Sequence, residues 1–280
     1  MKIAICISGE TRGFNWESDD NSHLPEGYEL QNFINLVEEQ YPGVDCHIYA
    51  HTWDHCKEPN KDLFDYKKLE VTSQQEIVDW VSERFCRRAY QNRMDFDKRV
   101  TLTELGPEAY VNTLLEVSKN KYAQQWSAFK AYNLLQDVKD QYELVIRWRW
   151  DNGIPEHNMH MMPKFWEAWE IILQEANNDK GFTLFQSMTF YTFVTPGILA
   201  PEDIFFVHNE EASHILRKID FPSMMDNIIY QQLGPEKYAD HTLWGMIFEH
   251  ANIGHGYFNM PPCVQLARVG PYCKPSGFTY

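Results

Sequence analysis

The amino-acid sequence predicts an α/β domain with a mainly parallel sheet flanked by helices, and three observations predict it. Apolar runs of strand length alternate with segments of helical periodicity along the chain. Two of these runs, residues 2–8 and 144–146, are apolar almost throughout, as strands buried on both faces are. A chain of 280 residues also fits one large domain with its own core.

The first half of the chain contains the strand ends where a ligand is expected to bind. The opening strand leads into the turn Gly9-Glu10-Thr11-Arg12-Gly13, which is typical of the start of a nucleotide-binding α/β domain. A second strand, residues 44–50, ends in His51-Thr52-Trp53-Asp54. The other elements predicted here are helices over residues 28–40, 108–118 and 121–139 and a short strand near residues 69–71. A further helix is expected after Thr72 or Ser73, either of which would cap it, with Ile77, Trp80, Val81 and Phe85 on it.

The second half begins with a strand over residues 142–151 and a loop over residues 152–162. Pro163 then starts an aromatic helix, since proline is favoured in the first turn. The remaining predicted elements are strands over residues 182–186, 189–193, 204–207 and 264–268 and helices over residues 210–219 and 235–250.

The strand that ends in Arg147-Trp148-Arg149-Trp150-Asp151 is the most informative segment. Side chains alternate along a strand, so the two arginines and the aspartate share one face and the tryptophans share the other. Buried charge is costly unless it is paired, and α/β sheets bind ligands beyond the carboxyl ends of their strands. This pattern indicates an anion and metal site; the alternative is a structural Arg–Asp network.

Composition and motifs exclude several classes of function. The net charge of −15 argues against a nucleic-acid partner. Neither a G-x-G-x-x-G nor a G-K-[ST] motif occurs, so dinucleotide and P-loop chemistry are not supported. The 6 cysteines include no C-x-x-C pair, and no apolar run is long enough to span a bilayer. We therefore expect a soluble, cytoplasmic protein.

Two clusters contain the residue types that bind transition metals, and neither is interpreted as a metal site. His47, His51, Asp54, His55 and Cys56 do not follow a known zinc spacing, so we interpret the end of this strand as one wall of the ligand cleft. The loop over residues 157–162, which is rich in methionine and histidine, is interpreted as a lid or a surface loop rather than a copper site.

Four segments, in this order, resemble the GT-A-type glycosyltransferases, the nucleotide-diphospho-sugar transferases, and especially their poorly characterised microbial and viral branches. They are residues 7–13, residues 47–54, the pair formed by residues 124–131 and the strand over residues 145–151, and residues 202–207. The resemblance implies a single domain with a GT-A-like, Rossmann-type sheet. Residues 1–150 would form its nucleotide-binding half and residues 151–280 its acceptor-side half.

The resemblance also implies a function and a set of site residues. The chain would be a hexosyltransferase-like enzyme that moves a sugar from a nucleotide-sugar donor to a hydroxyl acceptor, a glycan or a surface polysaccharide. Asp151 would organise the diphosphate and a divalent cation, Mn²⁺ or Mg²⁺, and Asp203 is the acid that we nominate as the catalytic base for the acceptor. The residues expected to bind substrate are Gly9, Glu10, Arg12, His51, Thr52, Gln125, Lys130, Arg147 and Arg149.

The chain departs from the family pattern at position 149, where a complete D-x-D motif would have an acid and this chain has arginine. Two interpretations follow: the arginines replace the metal, or Asp151 binds the metal with His241 or another ligand from late in the chain. The alternatives to an active glycosyltransferase are a non-catalytic nucleotide-sugar or carbohydrate-binding protein that kept the fold, and a transferase of another anionic group such as sulfate.

Overall fold

The computed structural model describes residues 1–9, 28–55, 64–86, 106–139, 141–150, 152–154, 156–175, 180–187, 201–232, 240–258 and 265–266. At its centre lies a seven-stranded sheet with the strand order β3-β2-β1-β4-β7-β6-β8. Its strands are β1 (Lys2–Ser8), β2 (Asp45–Trp53), β3 (Tyr66–Thr72), β4 (Leu144–Arg149), β6 (Phe182–Ser187), β7 (Pro201–Asn209) and β8 (Gly254–Phe258). Two short strands, β5 (Asn152–Gly153) and β9 (Gln265–Leu266), pair separately.

Helices cover both faces of this sheet. They are α1 (Tyr28–Gln40), α2 (Gln75–Trp80), α3 (Pro107–Asn133), α4 (Met162–Glu175), α5 (Glu210–Leu216), α6 (Phe221–Gln232) and α7 (Asp240–His250). A π-helical turn, Val81–Cys86, continues α2, and a 3₁₀ segment, Glu156–Met161, precedes α4. The predicted α/β architecture with a mainly parallel sheet is confirmed. Among the residues that the structure describes, no helix is both long and apolar enough to cross a membrane.

The direction of one strand makes the sheet mixed. β1 is parallel to β2 and β4, β2 is parallel to β3, and β6 is parallel to β8. β7 is antiparallel to both β4 and β6. As a result β7 begins at the edge of the sheet where β1, β2 and β4 end.

Two hydrophobic layers explain the apolar strands. In β1, Ala4 and Cys6 belong to the layer formed with α2, α3, α5, α6 and α7. The alternate residues, Ile3, Ile5 and Ile7, belong to the layer formed with α1 and α4. Both faces of β1 are therefore buried, which is why the strand is apolar at every position from Ile3 to Ile7.

Several predicted boundaries were wrong. The two helices expected over residues 108–118 and 121–139 are one helix, α3, which ends at Asn133, because the polar residues near position 120 cost a helix only a few tenths of a kcal/mol each. Helix α6 was not predicted; its Pro222 is tolerated because it lies in the first turn, where no backbone donor is needed. The helix expected over residues 210–219 ends at Leu216. The strand expected over residues 189–193 lies outside the described residues.

Candidate functional site

The chain reverses its order in the sheet between β1 and β4. From β1 it runs outward through β2 to β3, and it then returns to place β4 on the other side of β1. In α/β proteins, ligands bind beyond the carboxyl ends of the two strands at such a topological switch point. Ser8 and Arg149 are paired at this position, as the last residues of β1 and β4.

A chain of hydrogen bonds holds the end of β1 against α3. The backbone N–H of Gly9 donates to Ser127 Oγ over 2.8 Å. His51 connects the same hydroxyl to β3: its Nδ1 lies 2.7 Å from Ser127 Oγ, and its Nε2 lies 2.9 Å from Thr72 Oγ1. Ser127 Oγ therefore accepts from the N–H of Gly9, and the direction of its bond with His51 follows from which imidazole nitrogen carries the proton.

His51 takes part in these hydrogen bonds as a neutral group. Burial, and then the positive charge of Lys130, lower the pKa of His51 to about 3. The imidazole therefore carries no charge at neutral pH, and its contribution is to position its neighbours.

Gly9, directly after β1, is held on its other side as well. Gly9 has φ +109°, in the region that favours glycine, and its carbonyl accepts a hydrogen bond of 3.0 Å from Thr52 Oγ1. Trp150 closes the end of β4, because its indole N–H donates to the carbonyl of His51 over 3.1 Å. The carboxyl ends of β1, β2 and β4 thus form one cross-linked edge.

Two buried polar side chains at this edge make no hydrogen bond to the part of the chain that the structure describes. The exposed fraction is 1% for Ser8 and 0% for Gln125, and neither the serine hydroxyl nor either polar atom of the glutamine amide has a partner there. Ser8 lies two residues after Cys6, so it faces the α3 layer. Arg149, four residues after Val145 of the same layer, shares that face and is 9% exposed.

Gln125 faces the same region from α3. It lies on one stripe of the helix with Phe129 and Tyr132, at i, i+4 and i+7. Phe129 stacks on Trp244 of α7, with ring centroids 5.6 Å apart, and the hydroxyl of Tyr132 lies 2.8 Å from Nε2 of His208 in β7. The stripe therefore points toward β7 and α7, and Gln125 is its member nearest the carboxyl edge.

Arg147 shares a face with Arg149, as the alternation predicts, but it lies deeper. It is fully buried, and its Cζ lies 5.1 Å from the ring centroid of Phe206 and 5.0 Å from that of Trp244. Burial, and then the charge of Arg147, lower the pKa of His208 to about 3. This arginine contacts aromatic rings of the core, two residues before the carboxyl edge.

Trp148 points to the opposite face of β4 and stacks on Phe33 of α1 at 4.7 Å. His47, which the zinc alternative would use, has both ring nitrogens within hydrogen-bond distance of protein groups: Nδ1 lies 2.7 Å from the hydroxyl of Tyr142 and Nε2 lies 3.0 Å from Asp45 Oδ2. Both ring nitrogens of His51 are occupied by Ser127 and Thr72, so the structure gives the zinc alternative no support.

The remaining predicted site residues are placed in part. Asp203 lies on β7 three residues before Phe206, which pairs with Arg147, so its backbone lies toward the carboxyl edge. Lys130 is 3.6 Å from Glu76 and partly exposed. His241 lies on α7, and its side chain is not among those described. Glu10, Arg12 and Asp151 lie outside the described residues. The roles assigned to all of these residues stay predictions.

No group of three or more histidine, cysteine, aspartate or glutamate side chains that could hold a metal ion occurs among the residues described. The two predicted ligands, Asp151 and His241, are not covered by that search, so the predicted cation site stays a prediction.

Sequence reasoning missed Ser8, Thr72 and Ser127. Ser127 lies within the aromatic part of α3, so a polar residue inside a buried pattern was its available signal. Ser8 ends β1, and a serine at the end of a strand gave none. Thr72 gave none, because a threonine at the end of an exposed strand is common.

No protein-family model matches the chain, and no curated protein matches it. Among solved structures, the fold is similar to a putative glucose-1-phosphate thymidylyltransferase from Bacillus anthracis in complex with a sucrose (11% identity, 95% of this chain and 89% of that chain covered, TM-score 0.33). It is also similar to the apo form of mouse xyloside xylosyltransferase 1 (9% identity, 91% and 83% covered, TM-score 0.34). At TM-scores this low, neither structure assigns a family or an activity to this chain.

Proposed function

We propose that this protein transfers a sugar from a nucleotide-sugar donor to a hydroxyl acceptor at the carboxyl edge of β1 and β4. The observation that supports this most is the switch point itself, where Ser8, Gln125 and Arg149 face one region beside Gly9, whose N–H and carbonyl are both hydrogen-bonded. A site with hydrogen-bond donors and the buried guanidinium of Arg149 suits a ligand that is both anionic and rich in hydroxyl groups.

The residues near this edge have proposed roles in binding the donor, activating the acceptor and holding the metal ion. Thr52 and His51 would hold Gly9 in place beside the donor, the first directly and the second through Ser127, and Glu10, Arg12 and Lys130 would contact the donor. Asp203 would accept the proton of the acceptor hydroxyl, since β7 begins at this edge. Asp151 and His241 would hold Mn²⁺ or Mg²⁺, which when bound offsets the negative charge of the leaving diphosphate.

A second candidate is a binding protein that retains the donor site without turnover. Arginine at position 149, in place of the first acid of the D-x-D motif, favours it. The two candidates differ in their products, because a binding protein would bind a sugar nucleotide and release it unchanged.

The experiment that tests the proposal has two stages. A thermal-shift panel of UDP-, GDP-, CMP- and dTDP-sugars, each with and without Mn²⁺, first finds the nucleotide class; a ligand at about 100 times its Kd adds roughly 2.7 kcal/mol of stability. Release of the free nucleotide is then followed for the matching donor, with Asp151→Asn and Asp203→Asn as variants. Turnover that both variants abolish supports the transferase, binding without turnover supports the binding protein, and no shift with any donor refutes both.

A further inference from the structure

The geometry points to direct binding of the donor diphosphate by Arg149, Ser8 and Gln125, so that nucleotide binding needs no divalent cation. This inference rests on the proposed function, and it names the groups that hold the anion. We call these three residues the anion cradle.

The cradle is assembled from three elements that converge at one level of the fold. Ser8 and Arg149 are register partners on adjacent strands and share the face covered by α3. Gln125 lies on α3, one helical turn before Phe129 in the sequence. The ring of Phe129 stacks on Trp244, and Trp244 also contacts the guanidinium of Arg147. Helix α3 runs from the carboxyl edge of the sheet toward its amino edge, so Gln125 lies nearer the carboxyl edge than Phe129 does. In the same way, Arg149 lies nearer that edge than Arg147 does.

The hydrogen-bonding capacity of Ser8 and Gln125 matches an anion. A buried amide and a buried hydroxyl without partners are rare in folded proteins and call for an explanation. Phosphate oxygens accept hydrogen bonds from a serine hydroxyl and from the N–H₂ group of a glutamine, and the planar guanidinium of arginine binds two of them at once. The amide oxygen of Gln125 would then accept a bond from a ribose or sugar hydroxyl.

The charges of the buried residues point the same way. The chain carries 40 acidic and 25 basic residues, yet no carboxylate is among the buried side chains of the described residues. The buried formal charges there are Arg147 and Arg149, while His51 is neutral. An anion at this level would meet the positive charge of these guanidiniums, within a protein whose net charge is −15.

The test is isothermal titration of UDP, GDP, CDP and dTDP into the full chain, in EDTA and in Mn²⁺. We expect one nucleoside diphosphate to bind in EDTA with an affinity close to that in Mn²⁺. Ser8→Ala, Gln125→Met and Arg149→Gln are each expected to weaken this binding by about 10- to 100-fold, the effect of losing a hydrogen bond to a charged group. Gln31→Met and Arg217→Gln are the matched controls, because Gln31 is exposed on α1 and Arg217 donates to the carbonyl of Leu135 away from the edge.

The outcomes separate this inference from the function on which it rests. Binding that requires Mn²⁺ would overturn the inference and leave the transferase proposal standing. Binding in EDTA that survives both Ser8→Ala and Gln125→Met would overturn it too, since the anion would then lie elsewhere. No binding in either buffer would refute the proposed function itself. Thermal melting of each variant distinguishes a loss of binding from a loss of the fold.

Discussion

Replacing Gln125 with methionine should make the ligand-free protein more stable. The side chain is completely buried, and neither polar atom of its amide has a hydrogen-bond partner among the described residues. Leaving a buried polar group unsatisfied costs about 1–3 kcal/mol. Methionine is similar in length, flexible and apolar, so it removes that cost without opening a cavity.

The expected gain is about 1–3 kcal/mol in the free energy of unfolding, and a domain of this size gains roughly 2–4 °C in Tm for each kcal/mol. Urea unfolding of wild type and variant measures it directly. The sign is informative because most substitutions at buried positions destabilise a protein. A saturating concentration of the nucleoside diphosphate should make the wild type the more stable of the two proteins, since the wild type gains more stability from a ligand that it binds more tightly.

Ser127→Ala is the control with the opposite expected sign. Its hydroxyl has two hydrogen-bond partners, the N–H of Gly9 and Nδ1 of His51, so its loss should cost about 1–3 kcal/mol. If Gln125→Met destabilised the ligand-free protein as much as Ser127→Ala does, the glutamine amide must be satisfied in solution and the reasoning for the anion cradle would be refuted.

Two further predictions concern the backbone and pH. Gly9→Ala should cost about 1–3 kcal/mol through strain at φ +109° alone, because a Cβ there meets no atom within 4 Å; Gly106→Ala, equally uncrowded but at φ −67°, should cost clearly less in the same urea assay. Burial holds the folded-state pKa of both His51 and His208 at about 3, below the ordinary value of 6.5. Below pH 6.5 the unfolded chain binds protons that the folded protein does not, so the free energy of unfolding should fall toward pH 3 by up to roughly 1.4 kcal/mol per pH unit for each histidine. Urea titrations at pH 7, 6 and 5 measure this slope, and an unchanged slope in His208→Gln would contradict it.

The sequence predicted the parts of the fold that local patterns encode. The continuous apolar run of β1 indicated a strand buried on both faces, and the alternation in β4 placed Arg147 and Arg149 opposite Trp148. The direction of β7 was not predictable, because an antiparallel strand between two layers has the same apolar pattern as a parallel one.

The candidate site was predictable in part. Arg149 and Gln125 were singled out from the sequence, but Ser8 was not, because a serine at a strand end is ordinary until its neighbours are known. The depth of Arg147 was also hidden: alternation gives the face of a side chain, whereas only the packing of Phe206 and Trp244 shows that this one lies in the core. Lack of a hydrogen-bond partner is a property of the folded state, so the unsatisfied polar atoms of Ser8 and Gln125 had no signal in the sequence.

The central place of β1 has a consequence for how the protein is made. Ile3 pairs with Leu144, which follows it by 141 residues, so β1 has no neighbour on that side until β4 has been synthesised. At translation rates of about 5–20 residues per second, that delay lasts roughly 7–30 s. During this delay, one edge of the apolar strand Ile3-Ala4-Ile5-Cys6-Ile7 has no partner strand. Apolar strands with an unpaired edge tend to aggregate unless chaperones bind them. Expression at lower temperature or with added chaperones should therefore raise the yield of folded protein more than substitutions at its surface would.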